Sequence, residues 1–130
     1  MAHHDRPTSP HLQIYRLPLT AVMSISHRLS GVLLSVGLLL TVLLLVALAD
    51  GPAAWASVSS LVTNWFGQLV LFGFTLVLNY HLCNGVRHLF WDMGHGFSLE
   101  VARRTNLVVL AASLGLTLLV WLVALSVSEY

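Results

Sequence analysis

Lysine is absent from this chain, cysteine occurs once, and only 8% of its 130 residues are charged. Each scarcity excludes something. A single cysteine, Cys83, cannot close an internal disulfide, and alone it can hold neither a cysteine-ligated iron–sulfur cluster nor an all-cysteine zinc site. There is no Cys-x-x-Cys-His, so any haem would be held without a covalent link. The formal net charge is +1 and there is no basic tract, so nothing points to nucleic acid. Gly94-His95-Gly96 follows an apolar, helix-like run rather than a strand and lacks a third glycine, so it reads as a plain turn and not a nucleotide loop. The first twenty residues have neither the charged-then-apolar layout of a cleaved signal peptide nor the composition of a transit peptide.

What is present is apolar. Hydrophobic residues make up 57% of the chain and the mean hydropathy is +0.83, the balance of an integral membrane protein. Residues 1–19 are polar and broken by Pro7, Pro10 and Pro18, with Ile14, Tyr15 and Leu17 suited to a membrane interface. His3 and His4 read as tail. Thr20, just after Pro18, is a suitable N-cap for a first helix. From Leu29 to Ala49 no residue is charged, a stretch long enough to cross a hydrocarbon core of about 30 Å. Ser30, Gly31 and Ser35 give this helix a small-residue side, and Asp50-Gly51-Pro52 ends it. Residues from about Asp50 to Ser60 read as a short loop. A second apolar run extends from Leu61 to Phe90, and a third from Leu107 to Val127, the latter with Ala111 and Gly115 as a small-xxx-small pair.

The expected fold class is therefore all-α membrane protein: three transmembrane helices in an up-down-up bundle. Residues 1–19 precede a membrane domain of residues 20–130, with spans at about 22–49, 61–90 and 106–127. The alternative is that the polar start of helix one forms a separate interfacial helix. Arginines orient the bundle. Arg6, Arg16 and Arg28 precede or open the first span, Arg87, Arg103 and Arg104 surround the second connection, and the other two connecting ends have none. Arg-rich segments stay inside, which predicts a cytoplasmic N-terminus.

Chemistry is concentrated where the second run closes, Tyr80-His81-Leu82-Cys83-Asn84-Gly85-Val86-Arg87-His88-Leu89-Phe90-Trp91-Asp92. At about 100° per residue, His81, Gly85, His88 and Asp92 share one face, with Asn84 beside them. A neutral imidazole at membrane depth has few uses: interhelical hydrogen bond, proton relay or metal ligand. His81 is the deeper of the pair, roughly 10 Å along the helix from His88, and Gly85 leaves room beside it for a flat cofactor. Arg87 and Asp92 read as interface anchors, with a salt bridge between them an option. Tyr80 and Trp91 read as belt aromatics. On the first helix, Ser24, His27 and Arg28 share a face. A hydroxyl one turn from a permanent cation suits a carbonyl that gains negative charge. A cofactor-free anchor and a small proton or ion carrier are the competing readings.

Three blocks also carry a resemblance: Ser9-Pro10-His11-Leu12-Gln13-Ile14-Tyr15, Ser24-Ile25-Ser26-His27-Arg28-Leu29-Ser30-Gly31, and His81 to Asp92. Together they resemble the cytochrome b large membrane subunit of succinate dehydrogenase, in layout from about Arg6 to the end. The resemblance implies that His81 is an axial ligand of haem b, the second histidine coming from a smaller partner membrane subunit. It implies that Ser24 and Arg28 lie at a ubiquinone site and that His27 and Arg28 lie near the haem propionates. No catalytic residue is implied in this chain. Electrons would reach it from succinate through a flavoprotein subunit and an iron–sulfur subunit. The N-terminal segment resembles that of bacterial members, which implies the bacterial inner membrane rather than the mitochondrial one.

Overall fold

The structure, a computed structural model, describes residues 7–128. His3, His4 and Arg6 lie outside the described residues. Four helices follow one another: α1 (Leu19–Ala49), α2 (Pro52–Thr63), α3 (Trp65–Asp92) and α4 (Leu99–Ser128). No strand occurs among the described residues. α1, α3 and the α4 stretch Leu99–Val127 are each long and apolar enough to cross a membrane. α3 packs against both α1 and α4, and α1 and α4 also touch, so the three long helices alternate in direction around a shared seam.

That seam is polar. Among the described residues the buried apolar side chains are Met23, Ala47 and Val109, whereas Ser30, Asn79, Asn84, Arg87, Asn106, Ser113 and Thr117 are all buried. Most leucines and valines face outward instead, from Leu33 and Leu39 on α1 to Leu118 and Leu122 on α4. This inversion follows from the solvent. Lipid tails are as apolar as leucine, so association rests on packing and on hydrogen bonds between helices. On α4, Asn106, Val109, Ser113 and Thr117 recur at helical spacing and form the face turned to α3. Asn79 Nδ2 donates to Thr117 Oγ1 (3.1 Å), Thr117 Oγ1 donates to the Ser113 carbonyl (2.7 Å), and Trp121 Nε1 donates to Thr75 Oγ1 (3.3 Å). The pair singled out from spacing, Ala111 and Gly115, is exposed, and no side chain approaches Gly115. α4 therefore packs on its polar face and not on its small-residue one.

Two elbows depart from the sequence reading. Residues 52–63 are helical rather than loop. Gly51, at φ 106°, reverses the chain, Pro52 occupies the first helical turn, and Ala53, Ala54 and Ala56 favour a helix. α3 accordingly begins at Trp65 and not at Leu61. Asn64 makes the break by serving both helices. Its Nδ2 donates to the Leu61 carbonyl (2.9 Å) and more weakly to that of Ser60 (3.3 Å). Its Oδ1 accepts from the Gly67 amide (2.9 Å), an N-cap bond. The elbow is so tight that a Cβ on Gly67 would lie 2.1 Å from the Leu61 carbonyl oxygen. The connection after α3 is the plain turn expected, with Gly94 at φ 82° and Gly96 at φ 83°.

Thr20 does not cap α1, which starts one residue earlier with no side-chain cap. Its hydroxyl accepts from Asn106 Nδ2 instead (2.9 Å).

Candidate functional site

His27 on α1 and His81 on α3 stack face to face, ring centroids 4.0 Å apart and 15° from parallel. His88, two turns along α3, is tilted against His27 at 5.1 Å and meets Trp91 edge-on at 5.0 Å. The helical spacing that put His81 and His88 on one face thus aims both at α1. His27 Nε2 lies 3.3 Å from the His81 carbonyl oxygen. A carbonyl only accepts, so this nitrogen carries a proton.

Gly85, expected to leave room beside His81, borders His27 instead, and the glycine next to the His81 ring is Gly31. A Cβ on Gly31 would sit 3.4 Å from His81 Cε1, and one on Gly85 would sit 3.9 Å from His27 Nε2. Gly31 is the closer fit to the His81 ring. Ser30, read from sequence only as a small packing residue, is buried and bonded to both histidine-bearing helices. Its Oγ lies 2.7 Å from the His27 carbonyl oxygen and 2.8 Å from His81 Nδ1. The neighbouring Ser35 is exposed.

Ser24, His27 and Arg28 lie within one turn of α1, as their spacing required. Ser24 and His27 are half-buried and Arg28 is exposed. The turn is held from behind by α3, where the Tyr80 hydroxyl donates to the Met23 carbonyl (2.9 Å). Tyr80 is thus more than a belt aromatic.

Arg87 is not an interface anchor. It is 5% exposed. Its Nη1 donates to Asn106 Oδ1 and also approaches Met23 Sδ at 3.9 Å, while the guanidinium lies 4.4 Å over the Trp91 ring. Asp92 is exposed, and the ion pair found among the described residues is Arg104 with Glu100, on the surface of α4. The salt bridge between Arg87 and Asp92 is therefore not formed. Arg87 turns inward because position 87 falls on the α3 face that meets Asn106, away from the face of His81 and His88. Beside it, Asn84 is completely buried, and neither its amide oxygen nor its amide nitrogen has a partner, as is also true of Arg87 Nε and Nη2. Sequence reasoning passed over Asn106 and Tyr80 as partners of α1; a polar group within or beside an apolar run is the signal that could have found them.

Two clefts open near this end of the bundle. One, of about 420 Å³, is lined by Cys83, Arg87, Trp91, His95 and Val109. The other, of about 700 Å³, is lined by Thr20, Trp91, Phe97, Arg103 and Asn106. Both adjoin Trp91, on the α4 side of α3, and neither includes Ser24, Arg28 or His81.

A histidine stack between the first two long helices, with this motif order, invites comparison with known proteins. Residues 2–120 match the family model described as succinate dehydrogenase/fumarate reductase transmembrane subunit. The chain belongs to this family. It is 42% identical over 119 residues to the succinate dehydrogenase cytochrome b556 subunit of Paracoccus denitrificans, covering 92% of each chain. It is 38% identical to the cytochrome b556 subunit of Rickettsia felis, over 92% of this chain and 93% of that one. It is 34% identical to the cytochrome b560 subunit of Reclinomonas americana, over 92% and 86%. As a succinate dehydrogenase membrane subunit, the chain is a non-catalytic part of an enzyme complex embedded in a membrane.

Proposed function

We propose that this subunit holds one haem b together with a partner membrane subunit, His81 being its axial ligand, and that Ser24 and Arg28 form part of a ubiquinone-reduction site. The observation that carries the proposal is the stacked pair of His27 and His81 between α1 and α3, which concentrates imidazole in an otherwise apolar span. The residues fit a flat cofactor. Gly31 lets the His81 ring lie close against the α1 backbone, and Gly85 does the same for His27 on α3. Bound haem b would supply a one-electron store close to the quinone site.

The chain's own residues do the rest. His81 presents an imidazole held between helices. His27, stacked on His81, and Arg28, the next residue of α1, would hold the propionates. Ubiquinone is apolar and enters from lipid, yet its reduction takes up two protons, so its site must border water as well. The half-buried Ser24 beside the exposed Arg28 suits both needs. Ser24 would donate a hydrogen bond to a quinone carbonyl, and Arg28 would stabilise the negative charge that builds there. The remaining partners are an iron–sulfur subunit and a flavoprotein that oxidises succinate. The arginine distribution supports a cytoplasmic N-terminus, and the resemblance of the N-terminal segment to bacterial members supports a bacterial inner membrane.

The test compares succinate–ubiquinone reductase activity with succinate oxidation by a soluble dye. Ser24→Ala removes one donor to a partly buried anionic oxygen, a loss of roughly 1.5–3 kcal/mol. Quinone reduction should fall while the dye-linked rate, which needs only the peripheral subunits, is spared. Unchanged quinone reduction with unchanged quinone affinity would make Ser24 a packing residue.

A further inference from the structure

The carbonyl of His27 can only accept a hydrogen bond, so the Ser30 hydroxyl, 2.7 Å from it, gives its single proton there. Only lone-pair density then remains on Oγ. The contact from Oγ to His81 Nδ1, at 2.8 Å, must therefore be donated by the ring. His81 is thus protonated on Nδ1 and carries its free lone pair on Nε2. We propose that Ser30 is a positioning residue for the haem ligand: it fixes His81 in the tautomer whose Nε2 can bind iron, and strengthens that nitrogen as a donor. This rests on the reading of His81 as the axial ligand.

Several features make the arrangement more than helix packing. Ser30 is 5% exposed, so water does not compete for either bond. The two bonds run in series, from the His81 ring to the Ser30 hydroxyl to the His27 carbonyl, and each polarises the other. The ring is restrained on three sides: His27 lies against one face, Gly31 borders Cε1, and Ser30 holds Nδ1. Nε2 makes no hydrogen bond among the described residues. A proton relay or a simple interhelical bond would be served by either tautomer, whereas an iron ligand at Nε2 is served only by this one. An acceptor on Nδ1–H also makes an imidazole more electron-donating, which favours ferric over ferrous iron. Loss of the acceptor should therefore raise the haem potential and weaken haem retention.

The experiment uses the complete purified complex with wild type, Ser30→Ala, Ser30→Thr and His81→Ala. Three properties are read: the haem midpoint potential by redox titration, the low-spin spectrum, and transfer of haem to an apo-haem scavenger. Ser30→Ala should shift the potential upward and weaken haem binding by about ten- to a hundredfold. Ser30→Thr, which keeps a hydroxyl, should return both to wild-type values, and His81→Ala should abolish the low-spin signal. If His81→Ala loses that signal while Ser30→Ala changes neither potential nor retention, the role of Ser30 is refuted and the ligand assignment stands. A Ser30→Ala effect confined to the yield of complex, or one that Thr fails to reverse, refutes it equally. If His81→Ala keeps the low-spin signal, the ligand assignment itself is wrong and the role of Ser30 falls with it.

Discussion

Replacing Arg87 by leucine would remove a buried cation that lacks a carboxylate partner. The structure allows the consequence to be worked out. Asn106 Oδ1 loses its donor from Nη1, and an orphaned buried acceptor costs about 1–3 kcal/mol. The guanidinium leaves the Trp91 ring, which it faces at 4.4 Å, for a loss of about 1–2 kcal/mol. Against this, Nε and Nη2, which have no partners in the native bundle, disappear together with their desolvation cost. The net expectation for Arg87→Leu is a destabilisation of about 1–3 kcal/mol. Arg87→Leu combined with Asn106→Leu removes the orphaned acceptor too, so the pair should cost less than the sum of the single changes by about 1 kcal/mol or more. Thermal unfolding of the four purified complexes, followed by tryptophan fluorescence, completes the cycle. Strictly additive effects would mean that the contact between Arg87 and Asn106 does not hold α3 to α4.

Other outcomes follow from single positions. Gly67→Ala places a Cβ within 3 Å of backbone atoms of Leu61 and Val62; backbone cannot swing aside as a side chain can, so the elbow should open and the complex should assemble in reduced yield. Gly37→Ala meets only the Phe74 ring, at 2.8 Å, and should be milder because that ring can rotate. Cysteine labelling in a Cys83→Ser background should modify a cysteine at Arg103 from the cytoplasmic side and one at Ser57 from the opposite side; periplasmic labelling at position 103 would invert the orientation.

The three spans were legible because charge-free runs of this length have one use, and the site histidines because imidazole within such a run stands out. α2 was not legible: twelve residues of mixed polarity carry no span signal, and the joint at Asn64 depends on one side chain bonding two helix ends. The seam of Asn79, Asn106, Ser113 and Thr117 was hidden for a different reason. In a soluble protein such residues mark the outside, and within an apolar run their spacing does not say which helix they meet. Arg87 misled in the same way, since position near a span end suggests snorkelling, whereas its direction is set by the face it shares with Asn79. Ser30 could be placed on a helix but not paired, because the bond to His81 Nδ1 joins residues 51 positions apart.

The central claim is that His81, and not His88, carries the haem. His81 is gripped by Ser30 and His27, whereas His88 meets the edge of Trp91 and the tilted His27 ring and has no hydrogen bond among the described residues. The measurement is the reduced-minus-oxidised spectrum of the purified complex bearing His81→Ala or His88→Ala. The account predicts that His81→Ala abolishes or converts the low-spin b-type signal and that His88→Ala leaves it largely intact. The reverse pattern, or a full low-spin signal in both variants, would contradict it.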